Sequence, residues 1–232
     1  REANRQQADH LWAKLALTDC RAEPEERVEA FAFAPIEVER LAMIEHARWA
    51  ADRWLDGWSY APQRDDRRKQ HPQLIPYKAL SGPMKDLDRF AVRLAPTLLA
   101  RSGLGILRML LVGVVPSGAG AMRCSERLMR RALVRLKARY PDRALVVAAS
   151  VADPSVVRFA RLAVKGFGAG FFLLLEQPLT PVLARLDASA RLHALELISR
   201  AERRIQLMAP EAFQHWLETR VEIRVELGAG QA

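Results

Sequence analysis

The sequence predicts two fold classes joined in one chain, a mainly α N-terminal part and a doubly wound α/β part with a parallel sheet at the C-terminus. Helical apolar spacing recurs at about 4 to 18, 37 to 56 and 84 to 101, with Pro24, Pro35, Pro62, Pro72, Pro76 and Pro83 in the loops between. Continuous apolar runs then alternate with helical patterns, as strands do when helices cover both faces of their sheet. The change falls at "ARSGLG", residues 100–105, where two glycines close a helix and precede a β-rich pattern. The predicted domains are therefore 1–104 and 105–232.

In chain order, "NRQQADHLWAKLAL" reads as the first helix and "ERLAMIEHARWAADRWLDGW" as the second. On the second, Leu41, Ile44, Ala51 and Leu55 share a stripe, while His46, Trp49 and Arg53 fall on roughly the opposite side. Gly57 stops it. Beyond the boundary come the strand "LRMLLVGVV", the helix "SERLMRRALVRLKARY", the strand "ALVVAAS", the helix "PSVVRFARLA" and the strand "GFFLLLE". Helices near 179–200, a short strand "RRIQLM", a helix at 210–218 and a last strand in "VEIRVEL" complete the pattern.

Half of the 232 residues are hydrophobic, enough for a substantial core, which excludes a disordered tail. Lys and Arg outnumber Asp and Glu by 36 to 27, a balance that favours anionic partners. Cys20 and Cys124 stand far apart without metal-ligand spacing, which argues against a zinc site or a disulfide scaffold and for a reducing, cytoplasmic setting. No apolar run is long and uninterrupted enough to span a membrane. The first residues already read as helix, so the natural chain is expected to extend upstream.

"DGWSYAPQRDDRRKQHPQLIPY", residues 56–77, follows neither a period of 2 nor of 3.6. Trp58 and Tyr60 offer an aromatic face for a base, and Arg64, Lys69 and His71, with Asp65 among them, offer polar groups suited to phosphates. Trp49 and His46 stand on the preceding helix as further candidates, or as packing residues. The charge run "RDDRRKQ" is equally compatible with a solvated stretch paired with itself.

The stretch from Glu45 to Leu80, with "KDLDRFAVRLAPTLLARSG" after it, resembles the RyR domain, the repeat of ryanodine receptors that also occurs in bacterial proteins. The resemblance runs through Glu45, His46, Trp49, Gly57, Trp58, Tyr60, Arg64, Asp65, Lys69, His71, Pro72, Leu74, Pro76, Leu80, Lys85 and Asp88. Ala61 departs from it, where the family usually has Gly. The resemblance implies a small helical module that recognises nucleotide-type ligands, in bacteria within signalling systems that include defence against phages. Ligand contact carries over to Trp58, Tyr60, Arg64, Lys69 and His71.

The C-terminal layout is similar to the SLOG superfamily of Rossmann-like nucleotide-binding proteins, with "LLVGVVPSGAGA" as a strand entering a Gly-rich loop. Gly113, Ser117, Gly118 and Gly120 are the candidates for a second nucleotide site there, since a phosphate is held where a glycine turn meets a helix N-terminus. "AASVAD" lacks the glycines of a second such loop, which favours a degenerate, structural domain. Ser117 or Ser150 with His193 or Asp153 lacks the spacing of a catalytic arrangement, so no enzyme, cofactor or metal is expected. His193 and His215 sit in helical patterns and read as surface or packing residues.

Arg123, Arg127, Arg130, Arg131, Arg135, Lys137 and Arg139 face a single acid, Glu126, in one helical pattern. No DNA- or RNA-reading module accompanies it, which weighs against nucleic acid as a partner. The expected function is sensing of an adenine-nucleotide or ADP-ribose-like messenger, relayed to an upstream domain or effector outside this sequence, with a homo-oligomer open. The competing expectation is a ligand-free assembly module.

Overall fold

The computed structural model describes residues 2–24, 31–116, 125–207 and 209–227. They divide into two compact units, Arg1–Leu107 and Arg108–Ala232. The sequence places the change three residues earlier, because Gly103, at φ +74°, ends a helix and draws the eye from the strand that continues past it.

The first unit contains α1 (Glu2–Leu17), β1 (Cys20–Pro24), α2 (Pro35–Leu55), β2 (Ser59–Tyr60), β3 (Gln70–His71), a 3-10 turn (Tyr77–Ala79) and α3 (Gly82–Arg101). Pro35 starts α2 with its φ preset, and Glu37 accepts a hydrogen bond from the Ala34 N–H at 2.7 Å, satisfying a donor the helix cannot. Gly57, at φ +81°, ends it, and the Trp58 N–H donates back to the Arg53 carbonyl at 2.9 Å. Val38, Leu41 and Ala42 of α2 bury against Tyr77, Leu80 and Val92. Leu15, Cys20, Leu99 and Ile106 form a smaller apolar cluster.

Periodicity cannot reveal β2 and β3, since each has two residues. They pair in parallel, Ser59 with Gln70 and Tyr60 with His71. Between them Asp65 and Gln70 exchange both backbone hydrogen bonds, at 3.0 and 2.8 Å, and Lys69 takes the left-handed conformation at φ +51°. That closed turn fixes the loop.

The second unit holds β4 (Leu104–Pro116, whose first residues count with the first unit), α4 (Glu126–Arg139), β5 (Arg143–Ala149), α5 (Pro154–Phe167) and β6 (Gly170–Leu175). After these come α6 (Leu179–Arg185), α7 (Ala188–Arg200), β7 (Arg203–Gln206), α8 (Pro210–Arg220) and β8 (Ile223–Leu227). The strand order β8-β4-β5-β6-β7 is parallel throughout, with Val112 beside Val147 and Ile223. This is the α/β Rossmann-like architecture that the alternating pattern predicts.

Alternation along the strands sorts the two faces. Leu110, Val112 and Val114, with Val147, Phe171 and Leu173, meet Met129 and Leu133 of α4, Val157 and Ala160 of α5 and Leu197 of α7. Met109, Val115, Val146, Phe172 and Leu174 meet Phe213 and Leu217 of α8. Among the described residues, no helix is long and apolar enough to cross a membrane.

Gly113 corrects one expectation. It lies inside β4, paired with Ala148 and Arg224, and not in a phosphate-binding turn. A Cβ there would stand 3.0 Å from Leu217 Cδ2 and from both methyls of Val221, so the residue is small because α8 packs on the strand. Ser117, Gly118 and Gly120 lie outside the described residues. We expect Gly113→Val to lower stability by about 1–3 kcal/mol through overpacking, read from urea unfolding monitored by circular dichroism. An unchanged midpoint would show that α8 yields freely.

Candidate functional site

Three segments of the first unit surround a cleft of about 280 Å³: the second face of α2, the loop from Trp58 to Gln73, and the start of α3. The sequence places His46, Trp49 and Arg53 together, at i, i+3 and i+7 on α2, and all three line this cleft. Trp58, Arg64 and His71 join them from the loop.

The rings meet edge to face. His71 stands 5.0 Å from Trp49 and 6.0 Å from Trp58 between ring centroids, at interplanar angles of 70° and 67°. His46 lies 5.5 Å from Trp49, tilted at 32°. The Arg53 guanidinium sits 5.1 Å from the Trp58 ring centre and 5.9 Å from that of Trp49. Among the described residues, the Arg53 side chain has no hydrogen bond or ion pair, so the two indoles hold its charge in the cleft wall with its guanidinium N–H groups unspent.

The loop charges nearest the cleft are engaged, whereas the Arg67 side chain, like that of Arg53, has no ion pair among the described residues. Arg64 binds Asp66, Nε to Oδ1 at 2.7 Å, at an exposed rim. Asp65 accepts the backbone N–H groups of Arg67 and Arg68 at 3.0 and 3.1 Å and thereby shapes the turn. Lys69 Nζ donates to the Asp56 carbonyl at 2.6 Å and to its carboxylate at 3.3 Å, and the Trp58 indole N–H donates to that carboxylate at 3.0 Å. Trp58 first and Lys69 second hold the Asp56 carboxyl below its usual range. Asp65 and Lys69 are therefore scaffold for the cleft and do not line it, and neither does Tyr60, which is exposed in β2. "RDDRRKQ" is to this extent a run paired with itself.

His46 carries two duties. Its Nε2 donates to the Ile75 carbonyl at 2.9 Å, and its Nδ1 lies 3.4 Å from Asp88 Oδ2. A carbonyl only accepts, so Nε2 bears a proton, and Nδ1 faces the Asp88 carboxyl. Burial, above all, with the nearby Glu45, pushes the Asp88 carboxyl above its usual range despite the pull of His46. Glu45 behaves oppositely. Burial raises it, but hydrogen bonds from Arg48 and Lys14 outweigh that and hold it ionised below the usual range.

Glu45 and Asp88 line the cleft, as do Gln73, Met84 and Leu87, and the sequence does not single these out as ligand contacts. Glu45 and Asp88 were legible only as matched positions; Met84 and Leu87 look like ordinary helix residues of α3. Among the described residues, no hydroxyl or thiol lines the cleft. Among the described residues, no group of three His, Cys, Asp or Glu is placed to hold a metal ion.

His71 is neutral near pH 7. Burial, and then the positive charges of Arg64 and Arg53, push its imidazole below the ordinary 6.5. Its Nδ1 accepts the Gln73 N–H at 3.2 Å, so Nε2 carries the proton and is a donor for the cleft. Between the lowered folded value and 6.5 the unfolded chain binds more protons, so stability rises with pH across that window. This contribution is complete above 6.5 and lost as pH falls through the folded value. His71→Asn keeps an acceptor for Gln73 and cannot titrate. Melting of parent and variant should therefore converge toward pH 5, with the parent losing more between pH 7 and 5; parallel curves would contradict the assignment.

The helical pair, the paired loop and the aromatic cleft fall within one continuous segment, and that segment, residues 35–107, matches the sequence model of the RyR domain family.

Proposed function

We propose that the cleft of the first unit binds a nucleotide-type ligand, with indole and imidazole surfaces taking the base and Arg53 meeting the phosphate. The observation that supports this most is the Arg53 guanidinium, unpaired among the described residues and stacked at 5.1 Å on Trp58. An unspent cation in an aromatic wall selects an anion with a flat apolar part, whereas a cage for a quaternary ammonium would carry no fixed positive charge. The volume of about 280 Å³ lies at the low end of small-molecule pockets, so it suits a base with its sugar, with the rest of a larger ligand extending past the rim. Arg64, exposed at the rim, is the natural second contact for a phosphate that competes with Asp66.

On this reading the chain is a sensing module of a bacterial signalling or antiphage defence protein in the cytoplasm, and it binds an adenine-nucleotide or ADP-ribose-like messenger. The second unit, with its parallel sheet, is read as SLOG-like, its role to pass the binding event to an effector. A ligand-free assembly role is the second reading. It is favoured by the exposed apolar stripe Leu87, Phe90, Leu94 and Leu98 on α3.

Titration calorimetry with AMP, ADP-ribose and adenosine separates the two. Arg53→Gln should weaken the phosphorylated ligands about tenfold or more, the worth of a charge-assisted hydrogen bond, and adenosine much less. A folded parent that binds none of the three, or a folded variant that binds all of them as the parent does, would move the assembly reading ahead.

A further inference from the structure

The second unit carries a separate charged surface on α4. Met129 and Leu133 bury one side of this helix in the core, and Leu136 packs beside them. Its basic residues then divide into two sets. Arg130 pairs with Glu126 at 3.2 Å, Lys137 donates to the Phe167 carbonyl at 3.1 Å, and Arg139 leans on the Tyr140 ring at 5.8 Å. Arg127, Arg131 and Arg135 are exposed and have no ion pair or hydrogen bond among the described residues. Spaced at i, i+4 and i+8, they form a row pointing away from Met129 and Leu133, with about 6 Å of helix rise between neighbours. Arg123 lies outside the described residues.

We propose that this row is a phosphate-binding face for the nucleic-acid backbone, one that grips without reading sequence. The missing reader module, which weighs against nucleic acid at the level of sequence, is no obstacle here, because backbone contacts carry no sequence information and need none. Three considerations select this partner. Leu128 and Val134, the exposed apolar residues on α4, flank the row, and no aromatic anchors it, so an interfacial helix that inserts into lipid is a poor fit. Tight protein interfaces draw their energy from clustered buried aromatic or aliphatic anchors, whereas Leu128 and Val134 stand singly at the margins of the row. Charge is the main thing on offer, and nucleic acid is the polyanion dense enough to bind through counterion release. Arginines rather than lysines give each contact a fork of donors that matches a phosphate.

The test is fluorescence anisotropy of a labelled mixed-sequence duplex with the full chain, over a series of salt concentrations. The parent should bind with a log–log salt slope of at least about −2.7, from about 0.9 per neutralised phosphate. The variant Arg127→Gln/Arg131→Gln/Arg135→Gln should lose most of that slope, and Arg131→Gln alone about 0.9 of it. Melting curves like the parent's are expected, since the buried side of α4 is untouched; should the triple variant fail to fold, the parent's slope and the single variant decide. No duplex binding by the parent, a slope unchanged in the single or triple variant, or binding confined to anionic vesicles or to an acidic peptide would each overturn the proposal.

Discussion

The first unit depends on one buried carboxylate. Glu45 takes a salt bridge from Lys14 on α1 and a second from Arg48 one turn along α2, at 2.6 Å, and Arg48 in turn holds Asp52. Lys14, Glu45 and the Arg48 side chain are all more than nine-tenths buried. Taking three charges out of water costs several kcal/mol per ion, and only close geometry repays it, so the cluster stabilises this packing little in net terms. Its effect is specific: losing one partner strands the others, at a cost of about 3–5 kcal/mol, so α1 has one place to sit on α2. Apolar residues of similar volume would pack there without fixing a register.

Next to Glu45 in the chain, His46 extends that constraint to the loop and to α3. Its Nε2 holds the Ile75 carbonyl, and its Nδ1 faces Asp88. The segment that closes the cleft is thus pinned at its far end by the residue that begins the cleft's α2 wall. Nearer the start of the loop, Asp56 gathers Trp58 and Lys69, and Asp65 builds the turn. Each acid of the stretch is spent on a neighbour, so the guanidinium that reaches the cleft wall, that of Arg53, is left with only indole faces for company.

Much of this was legible in the sequence, for a physical reason. Periods of 3.6 and runs of apolar residues report burial, so the helices of the first unit and the β4-to-β8 alternation could be read directly. The two-residue strands β2 and β3 lie below any period, and β1, "CRAEP", carries no strand signature at all. Of the candidate ligand residues, Trp49, Trp58, Arg64, His46 and His71 line the cleft, as aromatic and basic residues outside a core pattern suggest. Tyr60, Asp65 and Lys69 meet the same criterion yet do not line it, since composition cannot tell a charge that is used from one that is spent. Arg53 shows the reverse. Its helical position was plain, but that its side chain meets two indoles and no acid emerges only in the folded chain.

Two groups of arginine in this chain illustrate how surroundings decide what the same side chain can do. At a separation of 4 Å, a unit charge interacts with its opposite by about 1 kcal/mol in bulk water and by about 4 kcal/mol at the effective dielectric near a protein surface. Arg53, half-buried against two indoles, belongs to the second regime, so on the proposed reading a single cation would suffice to favour a phosphate, with little screening by salt. The arginines on the outer face of α4 stand in the first regime, where one contact is nearly worthless and a row is needed. A pocket that can afford one charge can be selective for the molecule carrying the phosphate, because the remaining energy must come from shape and stacking. A solvated row cannot be selective in that way, and its affinity has to follow the ionic strength. The distinction is chemical rather than a matter of charge count: the cleft contributes a fraction of the basic residues that α4 carries, yet it is the place where the identity of a small ligand could be read.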